Sequence, residues 1–558
     1  MLKHHHIKQK IAIIAFLAIF IAILASCTKD FQKINTPHIG SETATINQLY
    51  TGIGSQLDNT AEGEDATSTR WLYPITQQGA VYARSDYDFG QGANWNGLYS
   101  NMAATYQILK QITALKADSA NYTNVKAMLL TLRAYQAIEL SNFYGSIPYS
   151  KAAKGFSGSA ADFSPAYDTQ QAVYLSCLKD LTWAVNNFST GSNQYSFGSF
   201  EFLLGNQVPQ WVKFANSLRL RYALTMYDKD SADAGPIIAD ALNKPLLTDA
   251  VADVVGLSQT YVPNISFDIG GGGRGWSFRQ ESRIRMGTTM WNLMSSSNDP
   301  IGSGIFDPRC KIFFEANGDT TGNHGQGRWV PYPQDPPSPI TDGGNPYDTQ
   351  RDPADSGWTS RKSGNNYSDF NYYWGRDGNI AGSSGAVPEI FMTASEVHFL
   401  KAEVYARGIA GLAQNMGTAQ TEYEAGVTSS ITYWTSAASN SSIWIVGKPA
   451  AATPSAADIN AVLTNPKVAF NASNAVQLIY AQEWIDLIRQ PWVAWTLQRR
   501  TGGTTPADTD NPSVYAQNYG TYQRYQYPSD EPLLNTANWR AATNGGTDLA
   551  TTKIWITK

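Results

Sequence analysis

The chain has 558 residues, 41 Lys and Arg against 46 Asp and Glu, and a formal net charge of −5. This weakly acidic balance lacks the basic face that nucleic-acid binding needs, so no nucleic-acid partner is expected. Charged residues make up only 16% of the chain while aromatics reach 12%, with 16 Trp and 30 Tyr. Flat rings and fixed amides are what sugar binding uses, and equally what a large aromatic core contains.

In chain order, Lys3, Lys8 and Lys10 precede an apolar run from Ile11 to Leu24. The run is shorter than the roughly 20 residues a membrane-spanning helix needs, and it meets small residues and a cysteine at Leu24-Ala25-Ser26-Cys27. Residues 1–26 are therefore expected to be a lipoprotein signal peptide, with Cys27 lipidated and 27–40 a tether. Acyl chains contribute about 0.8 kcal/mol per buried methylene, so a lipid on Cys27 holds the body at a membrane without a spanning segment. An ordinary secretory signal would instead leave Cys27 as a free thiol. Beyond it only Cys177 and Cys310 remain, too few for a disulfide framework.

Residues 41–231 read as an N-terminal helical part. Val125, Met128, Leu129, Leu132 and Tyr135 recur at helical spacing, and the helix stops near Gly145 and Pro148. Gln170 to Phe188 reads as another helix. A third opens at Pro209 with two apolar faces, one carrying Trp211, Phe214 and Leu218, which implies neighbours on both sides. Residues 232–390 hold Gly270 to Gly273, a Pro-rich stretch from Pro331 to Pro339 and scattered Trp and Tyr, and read as a loop-rich, ligand-facing region. Residues 391–500 return to helix. Thr393 and Glu396 have capping-box spacing, and Gly408 is a stop. A helix from Ala475 runs to Pro491, which breaks or kinks it, with Arg499 and Arg500 beyond. Residues 501–558 read as irregular. No exact repeat is present, but helix pairs of this size suit a degenerate tetratricopeptide solenoid. The expected fold is mainly α: tetratricopeptide-like helix pairs in a solenoid-like scaffold, with a large loop-rich region packed on it.

Catalytic chemistry has little support. His38, His324 and His398 are scattered, and Glu396-Val397-His398 lacks the spacing that puts two zinc ligands on one helix face. The glycine run ending at Arg274 lacks the Lys-Ser/Thr of a phosphate loop. Asp508 and Asp510 lack the glycine and glutamate of a calcium loop. No Gly-x-Ser-x-Gly elbow occurs. No catalytic residue, metal or cofactor is expected, although the carboxylate pair of a glycoside hydrolase would leave no short motif. Ligand-binding candidates form two aromatic and polar groups. The first is Trp71, Tyr82, Arg84, Asp86, Trp95, Asn96 and Tyr99, and the second is Trp276, Trp329 and Trp374. Tyr73, Tyr87, Asn94, Arg279, Tyr332, Tyr372 and Tyr373 accompany them.

A set of ordered motifs adds a resemblance. They are Glu139-Leu140-Ser141-Asn142-Phe143-Tyr144-Gly145 running into Ile147-Pro148-Tyr149, then Pro165-Ala166-Tyr167-Asp168-Thr169, and the stretch from Trp211 to Arg221. Asp307-Pro308-Arg309, Ser395 to Glu403, Gln482-Glu483-Trp484, Arg499-Arg500-Thr501-Gly502, and Tyr527-Pro528 before Glu531 and Asn535 complete it. With the lipobox, they make the chain resemble the SusD and RagB outer-membrane nutrient-binding lipoproteins of Bacteroidetes over nearly its whole length. Thr28-Lys29-Asp30 is also similar to the residues behind the lipidated cysteine in exported members. The resemblance implies a helical, tetratricopeptide-like fold and a SusC-like TonB-dependent transporter as partner, over which the lipoprotein sits as a lid. It implies a glycan or peptide as ligand and a location on the outer membrane, facing outward. The motifs themselves read as scaffold. Trp211, Phe214 and Leu218 are expected in the core, and Arg219, Arg221, Arg499 and Arg500 are expected to pair with helix carboxylates or carbonyls.

Overall fold

The computed structural model describes residues 44–57, 72–81, 95–155, 163–257, 284–316, 328–334, 367–371, 387–442, 444, 447–502 and 520–558. The chain divides into two compact units, Met1–Gln48 and Leu49–Lys558. Cys27 lies outside the described residues, as do the glycine run at 270–273 and the aspartates at 508 and 510.

The helices in the first part of the chain are α1 (Ile46–Gly54), α2 (Trp95–Ala114), α3 (Thr123–Tyr144), α4 (Gln170–Asn187), α5 (Val208–Met226) and α6 (Ser231–Leu242). Then come the short α7 (Thr288–Met294) and α8 (Arg309–Phe313), followed by α9 (Ala394–Arg407), α10 (Met416–Asn440), α11 (Ala456–Leu463), α12 (Ala475–Asp486) and α13 (Pro491–Thr501). Two short helices close the order, α14 (Glu531–Leu534) and α15 (Thr536–Ala542). The structure is mostly helical. Neighbours in sequence pack as pairs, α3 on α4, α4 on α5, α5 on α6 and α9 on α10, and α9 packs on α12 as well. Helix α5 also touches α3, α9 and α13, which joins the two sets.

Strands are few and short among the described residues. β1 (Ala80–Val81), β5 (Ile284–Arg285), β7 (Asp369–Phe370) and β6 (Phe314–Glu315) form one antiparallel sheet in that order. β2 (Ile147–Pro148) pairs with β3 (Tyr167–Asp168), and β4 (Val255–Leu257) with β8 (Glu389–Met392). The register of the last pair shifts at Gly256, where a Cβ would lie 2.3 Å from the Glu389 carbonyl oxygen, so only glycine fits.

The local signals act as their chemistry dictates. Thr393 caps α9, its hydroxyl accepting the Glu396 N–H at 3.1 Å, and Gly408 ends it in the left-handed region at φ 61°. Trp211, Phe214 and Leu218 are fully buried. Two sequence expectations change. Glu396 does not reach back to complete a capping box, because its carboxylate is held in a two-pronged pair by Arg221. Pro491 does not merely end α12. A short 3-10 turn at Leu487–Arg489 closes that helix, and Pro491 starts α13 at the first-turn position, where its missing N–H costs nothing.

Helix α3 is buried nearly all round, beyond the single stripe its apolar spacing suggests. Its polar residues must then find partners inside, because an unpaired buried polar group costs a few kcal/mol. Glu139 accepts from Tyr222 at 2.9 Å, and Asn142 accepts from Tyr174 at 2.6 Å. The four arginines of the motifs behave likewise. Arg219 pairs with Asp240, Arg221 with Glu396 and Arg500 with Glu403, while Arg499 donates to the Trp495 and Gln523 carbonyls.

Candidate functional site

The binding candidates within the described residues fall at two places. At the first, the opening turn of α2 presents Trp95, Asn96 and Tyr99 in an aromatic cluster. Trp95 meets Tyr99, Tyr144 and Tyr527 edge-on, with ring centroids 5.3, 5.0 and 5.8 Å away. Tyr144 and Tyr527 stack at 5.7 Å, and Tyr167 meets Tyr527 edge-on at 5.1 Å. Edge-to-face packing sets the positive rim of one ring against the negative face of the next, which stiffens the cluster. The cluster draws residues from the end of α3, from β3 and from the stretch before α14, so three separate sequence motifs meet in one cluster, two of them directly on Trp95.

Polar groups ring this cluster. The Tyr167 hydroxyl donates a short hydrogen bond to Glu531, the Tyr527 hydroxyl donates to the Ser146 carbonyl at 2.6 Å, and the Arg524 guanidinium lies over the Tyr527 ring at 4.3 Å. The Tyr99 hydroxyl is buried and has no hydrogen-bond partner among the described residues. Burial, then the nearby Glu531 charge, pushes this phenol well above its ordinary range, so it stays a neutral donor. Trp95 is only 7% exposed and its faces are packed against protein, whereas Asn96 beside it is exposed. The arrangement offers an outward amide and an unused phenol donor on a rigid aromatic base.

At the second place, Trp329 is 9% exposed and stacks on Trp291 at 6.2 Å and 17°. Its backbone N–H donates to the Pro300 carbonyl at 2.7 Å, and Gly302 leaves room for its ring. Tyr332 is fully buried, bonded through its N–H to Met286. Tyr73, of the first group, is buried too and donates to the Ile488 carbonyl at 2.8 Å. Trp71, Tyr82, Arg84, Asp86, Trp276 and Trp374 lie outside the described residues, as do Tyr87, Asn94, Arg279, Tyr372 and Tyr373.

A cleft of about 510 Å³, within the range of small-ligand sites, opens between the start of α5, β4 and the far half of α10. Gln207, Gln210, Ser436 and Asn440 supply its polar groups, and none of its lining residues is charged. The nearest acid in sequence, Asp253, turns inward to Lys213 and to the Thr248 and Asp249 amides, and these bonds hold its carboxyl below the ordinary range despite burial.

Titratable groups elsewhere are committed to structure. His398 pairs with Glu422 at 2.7 Å. Cys177 and Cys310 are free and buried, and burial pushes the Cys177 thiol up to about 12. Among the described residues no three His, Cys, Asp or Glu side chains gather as a metal site, and no helix is long and apolar enough to cross a membrane.

Comparison with known proteins adds the following. No curated protein sequence matches the chain. Among solved structures, a chitin-binding protein is similar at 20% identity with a TM-score of 0.66, covering 92% of this chain and 100% of its own. A SusD homolog from Bacteroides fragilis is similar at 17% identity and TM-score 0.68, covering 92% and 100%. A chitin-binding SusD homolog from Flavobacterium johnsoniae is similar at 18% identity and TM-score 0.60, covering 92% and 98%. At such identities these likenesses establish the fold. A family model described as "Starch-binding associating with outer membrane" matches residues 34–528. With that match over most of its length and the helical architecture the motifs imply, the chain belongs to the SusD-like family.

Proposed function

We propose that the protein is a surface lipoprotein that captures a neutral oligosaccharide and delivers it, chemically unchanged, to a SusC-like TonB-dependent transporter in the outer membrane. The observation that carries this reading is the family match over residues 34–528, whose description joins starch binding to the outer membrane. The chitin-binding descriptions of two similar structures support a glycan over a peptide. So does the chain's own chemistry, in which the exposed, uncharged amide of Asn96 sits on a stiff aromatic base. Neutral hydroxyls are recognised by amide and phenol groups and by ring faces, without ion pairs. We place the ligand on the face around the first turn of α2, with Trp95 as the packed base beneath it, and on the chemistry of their side chains alone keep Trp71, Tyr82, Arg84, Asp86, Trp276, Trp329 and Trp374 as proposed ligand contacts.

Membrane attachment rests on Cys27. Replacing it, Cys27→Ala, should move the protein from the membrane fraction to the soluble fraction while leaving glycan affinity unchanged. Retention in the membrane would refute the lipid attachment. Capture of the transporter barrel on the lipidated protein, tested by co-purification from solubilised outer membranes, checks the partner. Incubation with the bound glycan should return it intact, and cleavage would replace this reading with a hydrolase.

A further inference from the structure

A small cavity of about 10 Å³ lies in the interior, lined by side chains from α3, α5, α9, α12 and α13, among them Glu139, Arg221, Glu396, Glu483 and Arg500. That volume is about one water molecule's share of probe-occupied space. Two of the lining residues carry buried polar atoms with no hydrogen-bond partner among the described residues: Nη1 of Arg221 and Oε2 of Glu483. Each is within ion-pair distance of one opposite charge at long range, 3.8 Å from Arg221 to Glu139 and 3.9 Å from Arg500 to Glu483. The strong bonds of these arginines go elsewhere. Arg221 grips Glu396 with two prongs, and Arg500 grips Glu403 with two, at 3.0 and 2.8 Å.

The surroundings are short of positive charge. Glu139 on α3, Glu396 and Glu403 on α9 and Glu483 on α12 make four carboxyls. Arg221 on α5, Arg407 on α9, and Arg499 and Arg500 on α13 make four guanidinium groups, of which Arg499 acts on Glu139 at a distance and Arg407 is shared with Asp228. Asp486 on α12 adds a fifth carboxyl, held by the hydroxyls of Thr393 and Ser395. The Tyr222 and Tyr480 hydroxyls donate to Glu139 and Glu403, and among the described residues no such hydrogen bond reaches Oε2 of Glu483. A dry interior does not tolerate an uncompensated carboxylate. The least supported acid keeps its proton instead.

We propose that this cavity binds one water molecule, which accepts a hydrogen bond from Nη1 of Arg221, and that Glu483 faces it as the neutral acid. The water satisfies both orphan atoms, and the retained proton lowers the excess negative charge. Burial acts in the same direction, holding the Glu483 carboxyl up at about 8 while its arginine-clamped neighbour Glu403 is drawn down to about 2. The five helices around the cavity thus meet at a hydrated joint. A carboxyl raised in the folded state stabilises the fold below its unfolded value near 4.5 and loses that contribution as pH rises toward 8.

The test uses infrared spectroscopy on the full chain and its Glu483→Gln variant, with a high-resolution crystal structure of the wild type. The wild type should show a protonated-carboxyl carbonyl band at pH 7 that fades with a midpoint near pH 8, and Glu483→Gln should fold and lack it. The crystal should show one water within hydrogen-bond reach of Arg221. A missing band, a band untouched by the substitution, or a Gln variant that fails to fold would overturn the neutral acid, since glutamine is its closest isostere. An empty cavity would overturn the water.

Discussion

Glu403 is fully buried on α9, where Arg500 grips both its oxygens, Arg407 donates to it at 2.7 Å and Tyr480 at 2.7 Å. Its carboxyl is drawn down to about 2 from an ordinary 4.5, Arg500 being the chief attraction against the opposing effect of burial. At about 1.4 kcal/mol per pH unit between folded and unfolded values, this amounts to about 3 kcal/mol of stability at neutral pH. The sign follows from the depressed folded value: the contribution is complete above about pH 4.5 and disappears as pH falls toward 2. Glu403→Gln keeps the shape but strands the buried Arg500, so it should cost about 3–5 kcal/mol at pH 7. The assay is urea unfolding followed by tryptophan fluorescence, from pH 7 down to the acid limit. The difference between wild type and variant should stay constant down to about pH 4.5 and then shrink toward zero near pH 2. A difference that holds constant through that window would refute the arginine-clamped reading of Glu403.

Two further substitutions separate scaffold from surface. Trp95→Ala should destabilise the fold by about 3–5 kcal/mol, because it empties the centre of the aromatic cluster, whereas Asn96→Ala should leave the unfolding midpoint unchanged and weaken glycan binding several-fold, about 1 kcal/mol. Thr393→Ala removes a cap and a bond to the buried Asp486, at 2.9 Å, and should cost about 1–2 kcal/mol in the same unfolding assay.

The sequence made the helices legible where one local device fixes them. The Thr393 cap and the Gly408 stop bound α9 as read, since each acts through atoms within a few residues of itself. The fate of Glu396 was not legible, because its partner Arg221 lies 175 residues away and a two-pronged pair outweighs a local cap. Pro491 illustrates the same limit. Its ring suits a break as well as the first turn of a new helix, and local spacing does not show that a 3-10 turn closes α12 before it and α13 opens on it. The aromatic candidates were visible as a cluster in sequence, but not their burial: the partners that cover Trp95 come from Tyr144 and Tyr527. The buried charge network is hidden for a related reason. Its arginines could be expected to pair, but their partners Glu396 and Glu403 lie far off in sequence and read locally as ordinary residues of a helix.

The most direct measurement is calorimetric titration of the chain beginning at Thr28 with a panel of neutral oligosaccharides, charged oligosaccharides and peptides. Saturable binding of a neutral oligosaccharide, with the glycan recovered uncut and the affinity reduced by Asn96→Ala, is the predicted result. Binding of peptides alone, or cleavage of the glycan during the titration, would contradict it.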